Sequence, residues 1–182
     1  SINLQLGWNL ISGLSSAVSA QIIYANDIVQ NGTLYGLDGV YYNAETIEPG
    51  YGYWIKTNEY GVLDLNENSA KEQQQLNNSN NTNYIMFSNG KYAVTLFFGD
   101  YMTQKEYLSY SLPPKFSGLE FDVRFSNDMK YSMGSEEIEV LNNLNFLEIS
   151  YNIKKNTDNV SWKLQSESGQ ELEIASTRDV RI

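Results

Sequence analysis

Phe121-Asp122-Val123-Arg124-Phe125 places a carboxylate and a guanidinium two residues apart inside an otherwise apolar run. At the period of a β-strand, Asp122 and Arg124 share one face, and the flanking Phe121, Val123 and Phe125 share the other. Two chemistries are open to such a pair. Arg124 could grip a carboxylate on a partner or ligand. The plainer expectation is a solvated ion pair on the outer face of a core strand, which contributes only about 0–1 kcal/mol. A second concentration of chemistry is aromatic: Tyr41, Tyr42, Tyr51, Tyr53, Trp54 and Tyr60 crowd one short region. Tyr51, Tyr53 and Trp54 could form a platform for sugar faces, with nearby Asn, Asp or Glu supplying hydrogen bonds. Strand alternation puts Tyr51, Tyr53 and Ile55 on one face and Gly52, Trp54 and Lys56 on the other. At least one aromatic set is therefore expected in the core, and core filling is the favoured reading of these rings.

Other chemistries are closed or weakly signalled. The chain has no His and no Cys, which removes disulfides, thiolate nucleophiles, Cys/His zinc sites and imidazole general bases. Acidic residues number 22, but the clusters Glu136-Glu137-x-Glu139 and Glu171-x-Glu173 fall in strand-like alternation and read as solvated faces that deter edge pairing. No dense Asp/Asn/Gly loop marks a calcium site; Asn26-Asp27 and Ser126-Asn127-Asp128 are too sparse. Pro49-Gly50-Tyr51-Gly52 lacks the Lys-Ser/Thr of a phosphate loop and runs into a strand rather than a helix. No metal, cofactor or catalytic residue is expected.

The elements that must position these residues are short strands. In residues 1–65 they are expected at Ile2–Leu6, Trp8–Ser12, Thr33–Leu37, Val40–Asn43, Tyr51–Thr57 and Val62–Leu65. Asn31-Gly32, Asp38-Gly39, Pro49-Gly50 and Tyr60-Gly61 supply the turns. Only Leu14–Asp27 could hold a short helix. Residues 66–83, NENSAKEQQQLNNSNNTN, are a polar Asn/Gln-rich linker by composition, with a capping-box pattern at Ser69-x-x-Glu72. In residues 84–182 strands are expected at Tyr84–Ser88, Lys91–Gly99, Leu119–Ser126, Glu137–Leu141, Leu147–Ile153, Ser161–Gln165 and Glu171–Ala175. The reading is an all-β chain: a small β module at 1–65, the linker at 66–83 and a β-sandwich module at 84–182.

Two of the chain's 3 prolines are adjacent, at Pro113-Pro114. They lack amide hydrogens and hold an extended conformation, so they suit a stiff connection from one sheet to another. Net charge is -10, which disfavours nucleic acid and anionic membrane surfaces. No apolar run approaches the ~20 residues of a membrane span. The opening SINLQLGW has no basic and apolar leader, and its abrupt start on a strand leads us to expect a piece of a longer chain.

Gly7-Trp8-Asn9-Leu10-Ile11-Ser12, followed by Glu48-Pro49-Gly50-Tyr51-Gly52-Tyr53-Trp54-Ile55, resembles the small GWNLIS/PGxGYW β modules of secreted bacterial multidomain proteins. Leu96-Phe97-Phe98-Gly99, Ser111-Leu112-Pro113-Pro114 and Phe121-Asp122-Val123-Arg124-Phe125 resemble the LYFG/LPP/FDVRF module. That module occurs near the C-terminus of large surface proteins exported by the type IX secretion system. In that family the two modules often occur in tandem, in this order. The family's second proline pair is replaced here by Lys115-Phe116-Ser117-Gly118. The resemblance implies an exported, β-rich, non-catalytic module, secreted or at the cell surface, whose partners are the other domains of a longer parent chain. The expected function is structural or adhesive. The alternative is a carbohydrate-binding accessory module of an extracellular enzyme, with polysaccharide as its partner.

Overall fold

The computed structural model describes residues 1–12, 15–65, 82–153 and 162–174, and the backbone of 178–181. Among the described residues it is all-β with two short helices. The linker expected at 66–83, apart from its last two residues, and the Ser69/Glu72 capping box lie outside the described residues.

The chain forms two compact units, and they interleave. The first comprises Ser1–Asn78 and Met102–Glu120, the second Ser79–Tyr101 and Phe121–Ile182. The single division expected at 66–83 assigned everything beyond it to one module. The structure instead returns a 19-residue stretch, 102–120, to the first unit. Local patterning cannot show this, because it carries no information about which distant surface an extended segment will cover.

In the first unit a four-stranded antiparallel sheet runs in the order β2 (Gly7–Ser12), β7 (Gly52–Thr57), β4 (Tyr35–Leu37) and β5 (Tyr41–Asn43). Two small ribbons accompany it: β1 (Ile2–Leu4) with β8 (Gly61–Leu63), and β3 (Val18–Ser19) with β6 (Thr46–Ile47). The helix α1 is shorter than the span allowed for it, Ala20–Tyr24, and begins where the Ser19 side chain accepts from the Gln21 amide.

Register decides the two faces of the main sheet. Ile11 lies opposite Tyr53 and Asn9 opposite Ile55. Ile11, Tyr53 and Ile55 join Leu4, Val18, Ile23, Val29, Leu34, Ile47 and Leu63 in one buried core. The opposite face pairs Trp8 with Lys56, Leu10 with Trp54, and Tyr35 with Trp54. That second face carries its own cluster, in which Tyr35, Tyr41, Trp8, Leu37 and Trp54 meet Leu112 and Leu119 of the returning segment. A sheet apolar on both faces must be covered on both, and 102–120 supplies the second cover.

The returning segment starts with helix α2 (Gln104–Leu108). Its signal was present in the sequence and missed: Thr103 and Glu106 form a full capping box, with Glu106 Oε2 accepting from the Thr103 amide at 2.9 Å. The Thr103 hydroxyl, which donates to the same oxygen at 2.7 Å, and then the Thr103 amide hold the Glu106 carboxyl below its usual pKa.

In the second unit the order is β12 (Tyr131–Ser132), β10 (Ala93–Phe98), β9 (Asn83–Ser88), β14 (Glu148–Asn152) and β17 (Arg178–Arg181). Alternation is clean. Ile85, Phe87, Val94, Leu96, Phe98, Ile149 and Tyr151 are buried, and the register sets them on a common face. Asn89-Gly90 makes the β9–β10 hairpin, with Gly90 at φ 82°. Two ribbons complete the unit: β11 (Phe121–Phe125) with β13 (Ile138–Asn142), and β15 (Trp162–Gln165) with β16 (Glu171–Ile174).

Candidate functional site

The structure gathers the chain's chemistry in three places. The first is β11. All five of its residues are buried, Arg124 completely so. The solvated ion pair expected at Asp122 and Arg124 is therefore corrected to a buried one. Arg124 Nε donates to Asp122 Oδ2 at 2.5 Å and Nη2 donates to Oδ1 at 3.0 Å, so the guanidinium fork engages both carboxylate oxygens. Nη1 donates to Asp128 Oδ1 at 2.8 Å. Period-two alternation correctly put Asp122 and Arg124 on one face. It could not reveal that this face is also covered.

Asp128 sits in the turn after β11 with φ 59°, a left-handed conformation that Asp tolerates better than most residues. The turn is closed by Phe125 N donating to Met129 O at 3.0 Å and by Asp128 N donating to Phe125 O at 2.9 Å. Arg124 thus ties its own strand to the following turn. Burial works against its charge, but the hydrogen bonds and attraction of Asp122, then of Asp128, outweigh it and leave the guanidinium pKa raised. Across the ribbon, Glu139 is the register partner of Arg124.

Lys130 stands beside this pair. Desolvation pushes its ammonium down to about 8; Asp122 opposes that shift and Arg124 reinforces it. The consequence for stability follows from proton counting. Below pH 8 folded and unfolded chains both hold the proton, and the folded state bears the cost of desolvating this half-buried ammonium. Between about 8 and 10.5 the folded chain releases its proton first, so stability rises with pH through that window. The rise is expected to be on the order of 1–3 kcal/mol. It is read most clearly below pH 10, because Tyr24, raised by burial to about 12, loses stability as pH climbs from 10 toward 12. Lys130→Met should be more stable than the parent near pH 7 and should lose the alkaline rise, as urea midpoints across pH would show.

The second place is the covered sheet face of the first unit. Trp8, Tyr35, Tyr41 and Trp54 present their rings there, with Trp8–Tyr35 centroids 6.1 Å apart and Tyr35–Tyr41 centroids 6.2 Å apart. The chain's own Leu112 occupies this face, and Pro113 beside it is buried. Five polar contacts hold the segment, one of them Gln30 Nε2 donating to Ser109 Oγ at 3.0 Å. Gln30 Nε2 donates to Lys105 O at 3.1 Å, Lys56 Nζ donates to Ser111 Oγ at 2.9 Å, Tyr41 Oη donates to Pro114 O at 2.8 Å, and Glu120 N donates to Gly39 O at 2.7 Å. Leu112 packed on Trp and Tyr rings, with the following Pro114 carbonyl accepting from Tyr41, resembles within one chain the way aromatic grooves hold proline-rich peptides.

The third place replaces the expected platform. Tyr51, Tyr53 and Trp54 do not share a surface. Tyr53 is buried and its hydroxyl accepts from the Glu48 amide at 3.0 Å. Trp54 belongs to the opposite, covered face. Tyr51 alone of the three is well exposed. The residue that joins Tyr51 and Tyr53 is Tyr42. Burial raises its phenol pKa, with further contributions from Tyr53, Asp38 and Tyr51. Tyr42 lies opposite Gly36 in the β4–β5 register, and its ring covers that glycine: a methyl group there would clash with the Tyr42 ring. The result is a small exposed edge of two tyrosine rings with one carboxylate, Asp38. Sequence reasoning named Tyr42 among the aromatic group but did not place it here, because cross-strand neighbours depend on register.

Among the described residues no group of three His, Cys, Asp or Glu side chains stands together as a metal site. No described helix is long and apolar enough to cross a membrane. Compared with known proteins, the chain matches no family model, no curated protein and no solved structure.

Proposed function

We propose that this chain is a non-catalytic structural or adhesive module of a large bacterial surface protein, exported by the type IX route that its motifs resemble. The observation that carries the reading is the inward direction of its chemistry. Arg124, the residue best suited to recognise an anion, is fully buried and bidentate to Asp122. The aromatic face of Trp8, Tyr35, Tyr41 and Trp54 is covered by the chain's own Leu112 and Leu119. Groups spent in this way specify and rigidify a fold; they are not presented to a substrate. Its partners in this reading are the neighbouring domains of a longer parent chain, and its place is outside the cell or on its surface.

One observation favours a second reading. Tyr42 and Tyr51 are exposed beside Asp38, which is the ring-plus-carboxylate chemistry of a carbohydrate-binding accessory module. Titration of the whole chain with soluble polysaccharides, followed by intrinsic fluorescence, separates the two. The structural reading expects no saturable change. A saturable change abolished by Tyr51→Ala would replace it with the carbohydrate-binding one.

A further inference from the structure

The chain contains two Asn-Gly pairs, Asn31-Gly32 and Asn89-Gly90. Asn-Gly is the dipeptide in which the following backbone nitrogen, unhindered by a side chain, most readily attacks the Asn carboxamide. From sequence the two pairs are equivalent. In the structure they are not.

Asn89 is almost fully buried, at 5% exposure. Its Oδ1 accepts from the amides of Lys91 at 3.1 Å and Tyr92 at 2.8 Å, and its Nδ2 donates to Asn142 Oδ1 at 3.0 Å. The nucleophile is also held, since Gly90 N donates to Ser88 Oγ at 3.2 Å. Four hydrogen bonds must therefore break before Gly90 N can reach Asn89 Cγ. Asn31 is half-buried in a turn. Its carboxamide makes no hydrogen bond among the described residues. Around it, Gly32 O accepts from Asn43 Nδ2 at 2.7 Å, Thr33 Oγ1 donates to Gln30 O at 2.6 Å, and the Gly32 amide lies near the Tyr24 phenol, but none of these holds the Asn31 carboxamide.

We infer that Asn31 is a site of spontaneous covalent modification, a succinimide-forming deamidation site, and that the hydrogen-bonded turn at Asn89 protects its twin from the same reaction. Gly32 N gives its proton to solvent base and forms a bond to Asn31 Cγ. The Cγ–Nδ2 bond breaks, and Nδ2 leaves as ammonia, taking a proton from solvent. Water then adds to one of the two carbonyls of the cyclic imide and opens it, giving aspartate or isoaspartate. One carboxamide and one water become one carboxylate and one ammonium ion. Each event adds a negative charge. The isoaspartate product also adds one carbon to the main chain beside Gln30, whose side chain anchors helix α2 through Lys105 and Ser109.

The test is ageing of the intact chain in mildly alkaline buffer, with peptide mapping by mass spectrometry and enzymatic methylation of isoaspartate. In the folded chain, Asn31 should be converted faster than Asn89 by roughly tenfold or more, since several hydrogen bonds must be lost at Asn89. In denaturant the two rates should converge, because both then sit in an unstructured Asn-Gly. Asn31→Gln should abolish the product at that position and leave Asn89 unmodified. Comparable rates at the two sites in the folded chain, or an unmodified Asn31 when the denatured chain reacts at both, would overturn the inference.

Discussion

Replacing Arg124 with Met should destabilise the second unit by about 3–5 kcal/mol, the usual consequence of leaving a buried charge without its partner. Asp122 is 5% exposed and both of its oxygens rest on the guanidinium fork. Without that fork the carboxylate loses both of its guanidinium hydrogen bonds and keeps only the weaker attraction of Lys130. Asp128 would also lose its hydrogen bond in the left-handed turn. Arg124→Lys should recover little, since a single ammonium cannot reproduce a bidentate contact and a third bond to the turn. The control is the double replacement Asp122→Leu with Arg124→Met. It removes both charges together and should be far less destabilising than Arg124→Met alone. Urea denaturation read at Trp162, the second unit's tryptophan, gives the comparison. Equal midpoints for Arg124→Met and the parent would show that the buried pair does not hold β11.

Leu112→Ala should cost about 2–5 kcal/mol in the first unit, the range for emptying a buried leucine site. Leu112 is 2% exposed and meets Trp8, Tyr35, Tyr41 and Trp54. Its loss should have a second, spectroscopic effect. The segment 102–120 is held by a few polar contacts and by this leucine, so weakening it should admit water to Trp8 and Trp54. Their emission should shift to the red before the first unit unfolds, while Trp162 in the second unit serves as an internal reference. Tyr41→Phe, which removes only the hydrogen bond to the Pro114 carbonyl, should produce a smaller effect in the same direction, about 1 kcal/mol. An unshifted spectrum together with an unchanged midpoint in Leu112→Ala would mean that the segment does not need its leucine to stay docked.

Much of the β framework was legible because it rests on local rules. Alternation at Gly52–Thr57 or Ala93–Phe98 follows from a two-residue period, and Asn89-Gly90 makes its hairpin by its own backbone preference. The pairing of Asp122 with Arg124 was legible for the same reason. Helix α2 was legible too, through Thr103 and Glu106, and was overlooked because five residues carry almost no periodic signal.

By itself, then, the amino-acid sequence determined the strand type of most segments, the sign of the surface charge, the absence of thiol and imidazole chemistry, and which residues along each strand share a face. Tertiary structure alone decided whether a face is wet or dry. It buried the Arg124 side of β11, covered the Trp54 face with Leu112, and returned residues 102–120 to the first unit. The physical reason is range. A side chain's direction is set by its own backbone within two residues. Its solvation is set by whichever distant segment gains most by covering it, and that competition is settled across the whole chain.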